Sequence, residues 1–262
     1  MRRDRWEKIQ HGEFDYHAAK APRPFLEHKL EYWKAFLATL PDEVKLSPGA
    51  RVLDVGCGGA SVVLALEGSE RYGLDPLIGR YREQFAYLDE QSGVHWIEAA
   101  AEDATFDHPF DVVFAINSFD HVFDPALAAR CISDWVRPGG HLVVTMNTHN
   151  TRFFRAYYAA LYRLIDHHHP YQFRAADIVA LFPDLTPIDV REIDDLWLGF
   201  AAGYYREVLG RPVEDKRKWL RAARNPFKWP MGVSKFLFNM PPHKKRAGQR
   251  AIYSERLFVF RR

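Results

Sequence analysis

Histidine is the side chain best matched to proton transfer near neutral pH, and this chain of 262 residues carries twelve. Several stand where an apolar, strand-like run gives way to polar residues. His121 lies in Asn117-Ser118-Phe119-Asp120-His121-Val122-Phe123-Asp124-Pro125, and His149 in Asn147-Thr148-His149-Asn150. His167, His168 and His169 run directly into Pro170-Tyr171. Adjacent residues on one element face different ways, so the triple run makes a poor metal cage, and one of the three is expected to reach a pocket. The chemistry these residues suit is general-base removal of a hydroxyl proton. His121 equally suits orienting a loop.

A second group gathers around glycine. In Arg51-Val52-Leu53-Asp54-Val55-Gly56-Cys57-Gly58-Gly59-Ala60, a short apolar run of buried-strand type meets three glycines. Ala60 to Leu66 reads as the start of a helix. A strand that ends in a glycine turn and feeds a helix start can cradle a nucleotide, because the backbone can approach closely and helix N–H groups are free. The third glycine of the dinucleotide pattern would stand at Ser61. Asp54 would repel a pyrophosphate but suits a cationic ligand such as an aminoacyl sulfonium. Asp75, in Leu74-Asp75-Pro76, ends the next apolar run. An acid there accepts hydrogen bonds from a ribose diol, and before Pro76 it suits a helix N-cap as well.

With these residues in place the sequence resembles the class I S-adenosylmethionine-dependent methyltransferases, whose first motif reads much like Leu53-Asp54-Val55-Gly56-Cys57-Gly58-Gly59. Phe110-Asp111, His121, Asp124-Pro125 and Arg137-Pro138-Gly139-Gly140 follow in that family's order across about the central half of the chain. The resemblance implies S-adenosyl-L-methionine as cofactor. Asp54, Gly56, Cys57 and Gly58 would form its turn, and Asp75 and Pro76 would meet the ribose. Asn117 and Ser118 would border it at the end of the fourth strand. The Asp-Ala pair that often contacts adenine is Ala100-Ala101 here. Backbone groups near Ala101, with Glu102 or Asp103, would then serve the adenine amino group, although both acids also suit a solvated loop. A His-Pro-aromatic element in related enzymes implies His169, so the catalytic candidates are His121, His149 and His169.

Ubiquinone-type O-methyltransferases are similar around Asn117-Ser118-Phe119-Asp120-His121, where their pattern reads acid-x-x-acid-His. Asn117 replaces the first acid, and hard cations prefer carboxylate oxygens, so no metal site is expected. The implied activity is O-methylation of a small-molecule, sugar or lipid-linked acceptor, with much of the rate coming from in-line alignment. N-methylation and a non-catalytic, S-adenosylmethionine-binding regulatory role are alternatives. Ser61 and Asp54 disfavour a nicotinamide enzyme.

The elements that must position these residues follow from periodicity. Strands are predicted at 51–55, 70–74, 93–98, 111–116, 141–146, 186–193 and 252–260, and helices at 60–67, 77–89, 126–136, 151–165 and 174–182. The stretch from Phe25 to Leu40 has helical spacing and stops at Pro41. This rhythm predicts an α/β fold: a Rossmann-like, doubly wound, mainly parallel seven-stranded sheet. A helical N-terminal cap is expected at 1–48. The methyltransferase domain is expected at 49–262, with a helical lid inserted at about 195–250 before the last strand.

Composition bounds the partners. Hydrophobic residues make up 47% of the chain, enough for a sizeable core, and the net charge of +2 gives no global sign of nucleic-acid binding. Cys57 and Cys131 fall in predicted core elements, as in a reducing compartment. No signal peptide or membrane span is expected, and the reading is a cytoplasmic enzyme. One asymmetry stands out locally: Lys216 to Arg250 lacks acidic residues and interleaves Lys and Arg with Trp219, Phe227, Trp229, Phe236 and Phe238. It suits a lid with its cations in solvent, or a peripheral membrane contact with an anionic surface. A nucleic-acid groove ranks below both, and no nucleic-acid partner is expected.

Overall fold

The computed structural model describes residues 1, 3–20, 22–44, 46–165, 169–203 and 253–262. Two helices lead: α1 (Arg3–Ala18) and α2 (Pro22–Ala38). The alternating part follows as β1 (Arg51–Val55), β2 (Glu70–Leu74), α3 (Ile78–Gln84), β3 (Val94–Ile97), β4 (Phe110–Ile116), α4 (Pro125–Trp135) and β5 (Val136–His149). Then come α5 (Arg152–Ile165), α6 (Ala175–Leu181), β6 (Thr186–Glu192), α7 (Asp194–Gly203) and β7 (Tyr253–Arg261). Residues 204–252, which include most of the expected lid and all of the basic aromatic stretch, lie outside the described residues.

Among the described residues the strands form one seven-stranded sheet in the order β3-β2-β1-β4-β5-β7-β6. The first five are parallel, and β7 runs antiparallel between β5 and β6. The expected α/β sheet is therefore present, and its strand order reverses between β1 and β4, where such sheets open a crevice at their carboxyl ends.

Strand alternation builds two cores, one on each face. Leu53, Val55, Val113, Ala115, Leu142, Val144, Phe258 and Phe260 meet Ala128 and Ile132 of α4 and Ile178 of α6. The intervening Val52, Val112, Phe114, Val143, Leu257 and Val259 meet Tyr32, Trp33 and Phe36 of α2. Both faces are covered, which is why these strands read as continuous apolar runs. Asp54 belongs to the α2 face by the same alternation, and this decides its surroundings.

Three local expectations are corrected. The helix expected at 60–67 is a single 3-10 turn, Val62–Ala65. Ser61 caps it by accepting from Val63 N–H, and Gly68 turns the chain back at φ +80°. The short crossover from Val55 to Glu70 leaves room for little more. The helix expected at 77–89 stops at Gln84, and a separate 3-10 turn at Ala86–Leu88 follows Phe85, which is fully buried. The turn expected at Arg137–Gly140 lies inside the span of β5 as an irregularity: pairing with β4 breaks between Phe110 and Val112, and Gly139 takes φ +76°. Gly139 N–H donates to Arg262 C=O at 2.8 Å, so the C-terminal strand holds this bend.

Candidate functional site

A cavity opens at the carboxyl ends of β1, β2 and β4, the place the strand order predicts. Its floor is the glycine turn. Gly56 sits at φ +69°, and a Cβ there would come within 2.4 Å of Ser118 Cβ. Ser118 is pinned in turn, donating from Oγ to Val55 C=O at 2.8 Å. The turn after β1 and the turn after β4 thus press together, and only glycine fits between them.

The donors above this turn are already spent. Asp54, 2% exposed, accepts from Ser61 Oγ at 2.6 Å and from Val62 N–H at 3.2 Å. Val63 N–H goes to Ser61 Oγ. The expected row of free N–H groups, which would suit a phosphate, is not there. Two buried acids lie beneath instead. Burial pushes the Asp54 carboxyl up to about 7, with Ser61 and Val62 pulling the other way. Glu255 on β7, 3% exposed, accepts from Asn117 Nδ2 at 2.9 Å, and its burial likewise lifts it to about 7. Lys29 of α2 is electrostatically coupled to both acids, and burial lowers it to about 8. Asn117 itself takes φ +49°, a left-handed conformation that asparagine tolerates better than most residues.

Asp75 closes the β2 side. Its Oδ2 accepts from Gly58 N–H at 2.9 Å and its Oδ1 from Leu77 N–H at 2.8 Å. It is not the N-cap of α3; Leu77 stands there. The carboxylate instead locks the glycine turn to the start of the next segment and retains lone-pair sites toward the cavity. Burial raises its pKa to about 6. Pro76 and the buried Ala101 complete this side with Glu102. Glu102 Oε1 accepts from Asp124 N–H at 2.8 Å, while its Oε2 is buried without a hydrogen-bond partner among the described residues.

Of the residues singled out in the sequence, Gly56, Gly58, Asp75, Pro76, Ala101, Glu102, Asn117, Ser118 and His121 line the cavity. Asp54 and Cys57 lie beneath it, both buried. Asp103 is outside, pairing with Arg3 of α1 at 3.0 Å on the surface. His169 stands against His121, ring centroids 4.9 Å apart, with the Asp120 carboxylate 3.6 Å from His121 and 4.0 Å from His169. His149 does not reach the cavity. It is buried beside Tyr158, and its Nε2 meets Gln172 Oε1 at 2.6 Å.

Sequence reasoning missed the wall opposite. Trp6, Gln10, Glu13 and His17 recur at helical spacing along α1 and line the cavity together. Trp6 Nε1–H and Gln10 Nε2–H both donate to His121 C=O, at 2.9 and 3.0 Å. The spacing was legible, but nothing local says where the stripe docks. Glu255 carried no signal at all, because it lies 138 residues from the Asn117 it binds.

Comparisons with known proteins agree with this geometry. A family model described as a methyltransferase domain matches residues 25–184. A ubiquinone biosynthesis O-methyltransferase of Yersinia pestis (strain Pestoides F) is 36% identical over 109 residues, covering 39% of this chain and 44% of that protein. The chain thus spans less than half the length of the curated relatives it matches. Geranyl diphosphate C-methyltransferase from Streptomyces coelicolor A3(2), solved with Mg2+, geranyl diphosphate and S-adenosyl-L-homocysteine, superposes with a TM-score of 0.60. It is 14% identical, over 87% of this chain and 79% of that one. Phosphoethanolamine N-methyltransferase 2 of Haemonchus contortus, in complex with S-adenosyl-L-methionine, gives 0.57 at 17% identity, over 88% of this chain and 52% of that one. The match over residues 25–184 places the chain in the methyltransferase-domain family, among the class I S-adenosylmethionine-dependent methyltransferases.

Proposed function

We propose that the protein transfers a methyl group from S-adenosyl-L-methionine to a hydroxyl of a small-molecule, sugar or lipid-linked acceptor. The observation that carries the cofactor half is the glycine turn and the 3-10 turn after it: Gly56 and Cys57 N–H donate to Leu74 C=O, Gly58 N–H to Asp75, Val62 N–H to Asp54 and Val63 N–H to Ser61, with the buried acids Asp54 and Glu255 below. That turn suits a cationic ligand and not a pyrophosphate. When bound, the cofactor supplies a methyl carbon on a positively charged sulfur. Asp75 would accept the ribose hydroxyls, and Glu102 Oε2, buried and unpartnered, would accept from the adenine amino group. Gly56 and Gly58 let the backbone approach, with Pro76, Ala101 and Ser118 as walls and Asn117 relaying the charge of Glu255. Cys57 packs beneath.

The hydroxyl reading rests on histidine and on the O-methyltransferase relative. His121 is the candidate base, reaching the cavity from the end of β4 to take the acceptor proton at an imidazole nitrogen. Asp120 and His169 sit beside it. His149 acts at one remove: it holds Gln172, whose Nε2–H donates to His169 C=O at 2.8 Å. Residues 1–48 cap the domain at 49–262. The stretch 195–250 is read as a lid for the acceptor end or, through 216–250, as a peripheral membrane contact, and the protein as cytoplasmic.

Isothermal titration of the full chain with S-adenosylmethionine, S-adenosylhomocysteine and NAD tests the cofactor half. Both adenosyl ligands are expected to bind and NAD is not; NAD binding alone would overturn it. The methyl carbon and proton chemical shifts of the product, measured by NMR, then tell oxygen from nitrogen.

A further inference from the structure

We propose that Glu13, His121 and His169 form a binding site for a divalent transition-metal ion at the acceptor end of the cavity. One ligand atom from each side chain lies within 4.8 Å of the others, and all three residues are partly buried. They come from three separate segments: α1, the turn after β4, and the stretch between α5 and α6. Each segment is fastened to the same place. Trp6 and Gln10 hold α1 to the His121 carbonyl. Tyr171 O–H donates to Phe123 C=O at 2.6 Å, which brings the His169 segment onto the same turn. Gln172 then fixes the His169 backbone.

A second observation points to a ligand. His121 Nδ1 is buried with no hydrogen-bond partner among the described residues. A buried imidazole nitrogen is normally satisfied, and a metal ion satisfies it as well as a hydrogen bond does. Asp120 adds charge of the right sign, its two oxygens 3.6 Å from His121 Nε2 and 4.0 Å from His169 Nε2. At these distances Asp120 adds charge without a hydrogen bond to either ring.

The donor chemistry selects the ion. Two imidazoles and one carboxylate suit zinc and its neighbours in the first transition row, and they leave coordination positions open. Donors about 2.1 Å from a tetrahedral ion stand roughly 3.4 Å apart, so the three ligand atoms draw together on loading. Side-chain rotation supplies that. The site is not the acid-x-x-acid-His arrangement weighed from sequence. Asn117, at its first position, turns to Glu255, and Glu13 and His169 come from elsewhere. If the hydroxyl reading above holds, an open position takes the acceptor oxygen and lowers its pKa so that its proton passes to solvent, and in the metal-loaded protein His121 serves as a ligand in place of the base; metal binding itself does not depend on that reading.

The test is Co2+ titration of the metal-stripped full-length protein, followed by its visible absorption, in parallel with calorimetric titration by S-adenosylhomocysteine. One saturable equivalent of Co2+ is expected, displaced by Zn2+. Glu13→Gln and His169→Gln should each weaken it at least tenfold while circular dichroism stays that of the parent. A folded parent chain that binds S-adenosylhomocysteine but no Co2+ overturns the metal site and leaves the methyltransferase reading standing. Co2+ binding without adenosyl binding does the reverse. Binding that survives in both variants, or that runs to several weak equivalents, also overturns the site.

Discussion

Asp75 holds Gly58 N–H and Leu77 N–H while facing the cavity, so removing it tests binding and local order together. Asp75→Ala should weaken S-adenosylhomocysteine about ten- to a hundredfold, given roughly 1.5–3 kcal/mol for hydrogen bonds to a charged group. Unchanged affinity by calorimetry would remove Asp75 from the ribose. Gly56→Ala must accept φ +69° and a methyl 2.4 Å from Ser118 Cβ. The left-handed conformation alone costs about 1–2 kcal/mol. The expected result is a lower Tm and loss of adenosyl binding, partly restored when Ser118→Gly is added, because that relieves the clash and not the φ. Glu255 gives a pH signature. Burial lifts its carboxyl to about 7, above an ordinary 4.5, so the folded chain holds the proton more tightly than the unfolded one. Stability from this group is then fullest below about pH 4.5 and is lost as pH rises toward 7. The unfolding free energy of the parent minus that of Glu255→Gln, from urea titration, should fall between about pH 5 and pH 8 by at most about 3 kcal/mol, from the size of the shift. A flat difference would contradict this.

At the scale of elements, α1 is the decisive addition. Its buried residues are Trp6, Ile9 and Gln10; it is held by Trp6 and Gln10 on His121 C=O, by the exposed Arg3–Asp103 pair, and by Phe14 and His17 against Tyr81 and Phe25. Trp6 also packs edge-on against Phe123, and Arg3 caps both rings. A helix held this way can open locally without the sheet unfolding. Trp6→Ala should therefore raise amide exchange over 3–18 while β1 and β4 stay protected, and methyl transfer should fall because Glu13 loses its place beside His121. Equal loss of protection in α1 and the sheet would show that α1 is part of the global fold. The single 3-10 turn after β1 has a matching meaning. A full helix there would present free N–H groups to a phosphate; a capped turn over Asp54 does not.

At the scale of the whole molecule, no helix among the described residues is long and apolar enough to cross a membrane. The membrane question therefore turns on the basic aromatic stretch at 216–250. Cations interleaved with Trp and Phe are attracted to anionic lipid and are screened by salt. The full chain is expected to float with anionic vesicles at low ionic strength and to be released as salt rises. No flotation at low salt would leave the stretch as a lid alone.

The sequence by itself determined the sheet, the glycine turn after β1 and the acid after β2, because these depend on short-range features: apolar runs, glycine spacing and the residue that follows a strand. Asn117, Ser118 and His121 were legible for the same reason. Tertiary structure alone decided the rest. Strand alternation put Asp54 under the turn, facing Ser61 and Val62. Docking of α1 brought Glu13 against His121, and antiparallel insertion of β7 carried Glu255 to Asn117. His149 looked equivalent to His121, one strand further along, yet packing turned it to Gln172. Local pattern fixes what a segment becomes, whereas which side chains share a site depends on how separate segments dock, some as distant in sequence as Asn117 and Glu255, and that is settled only when the layers pack.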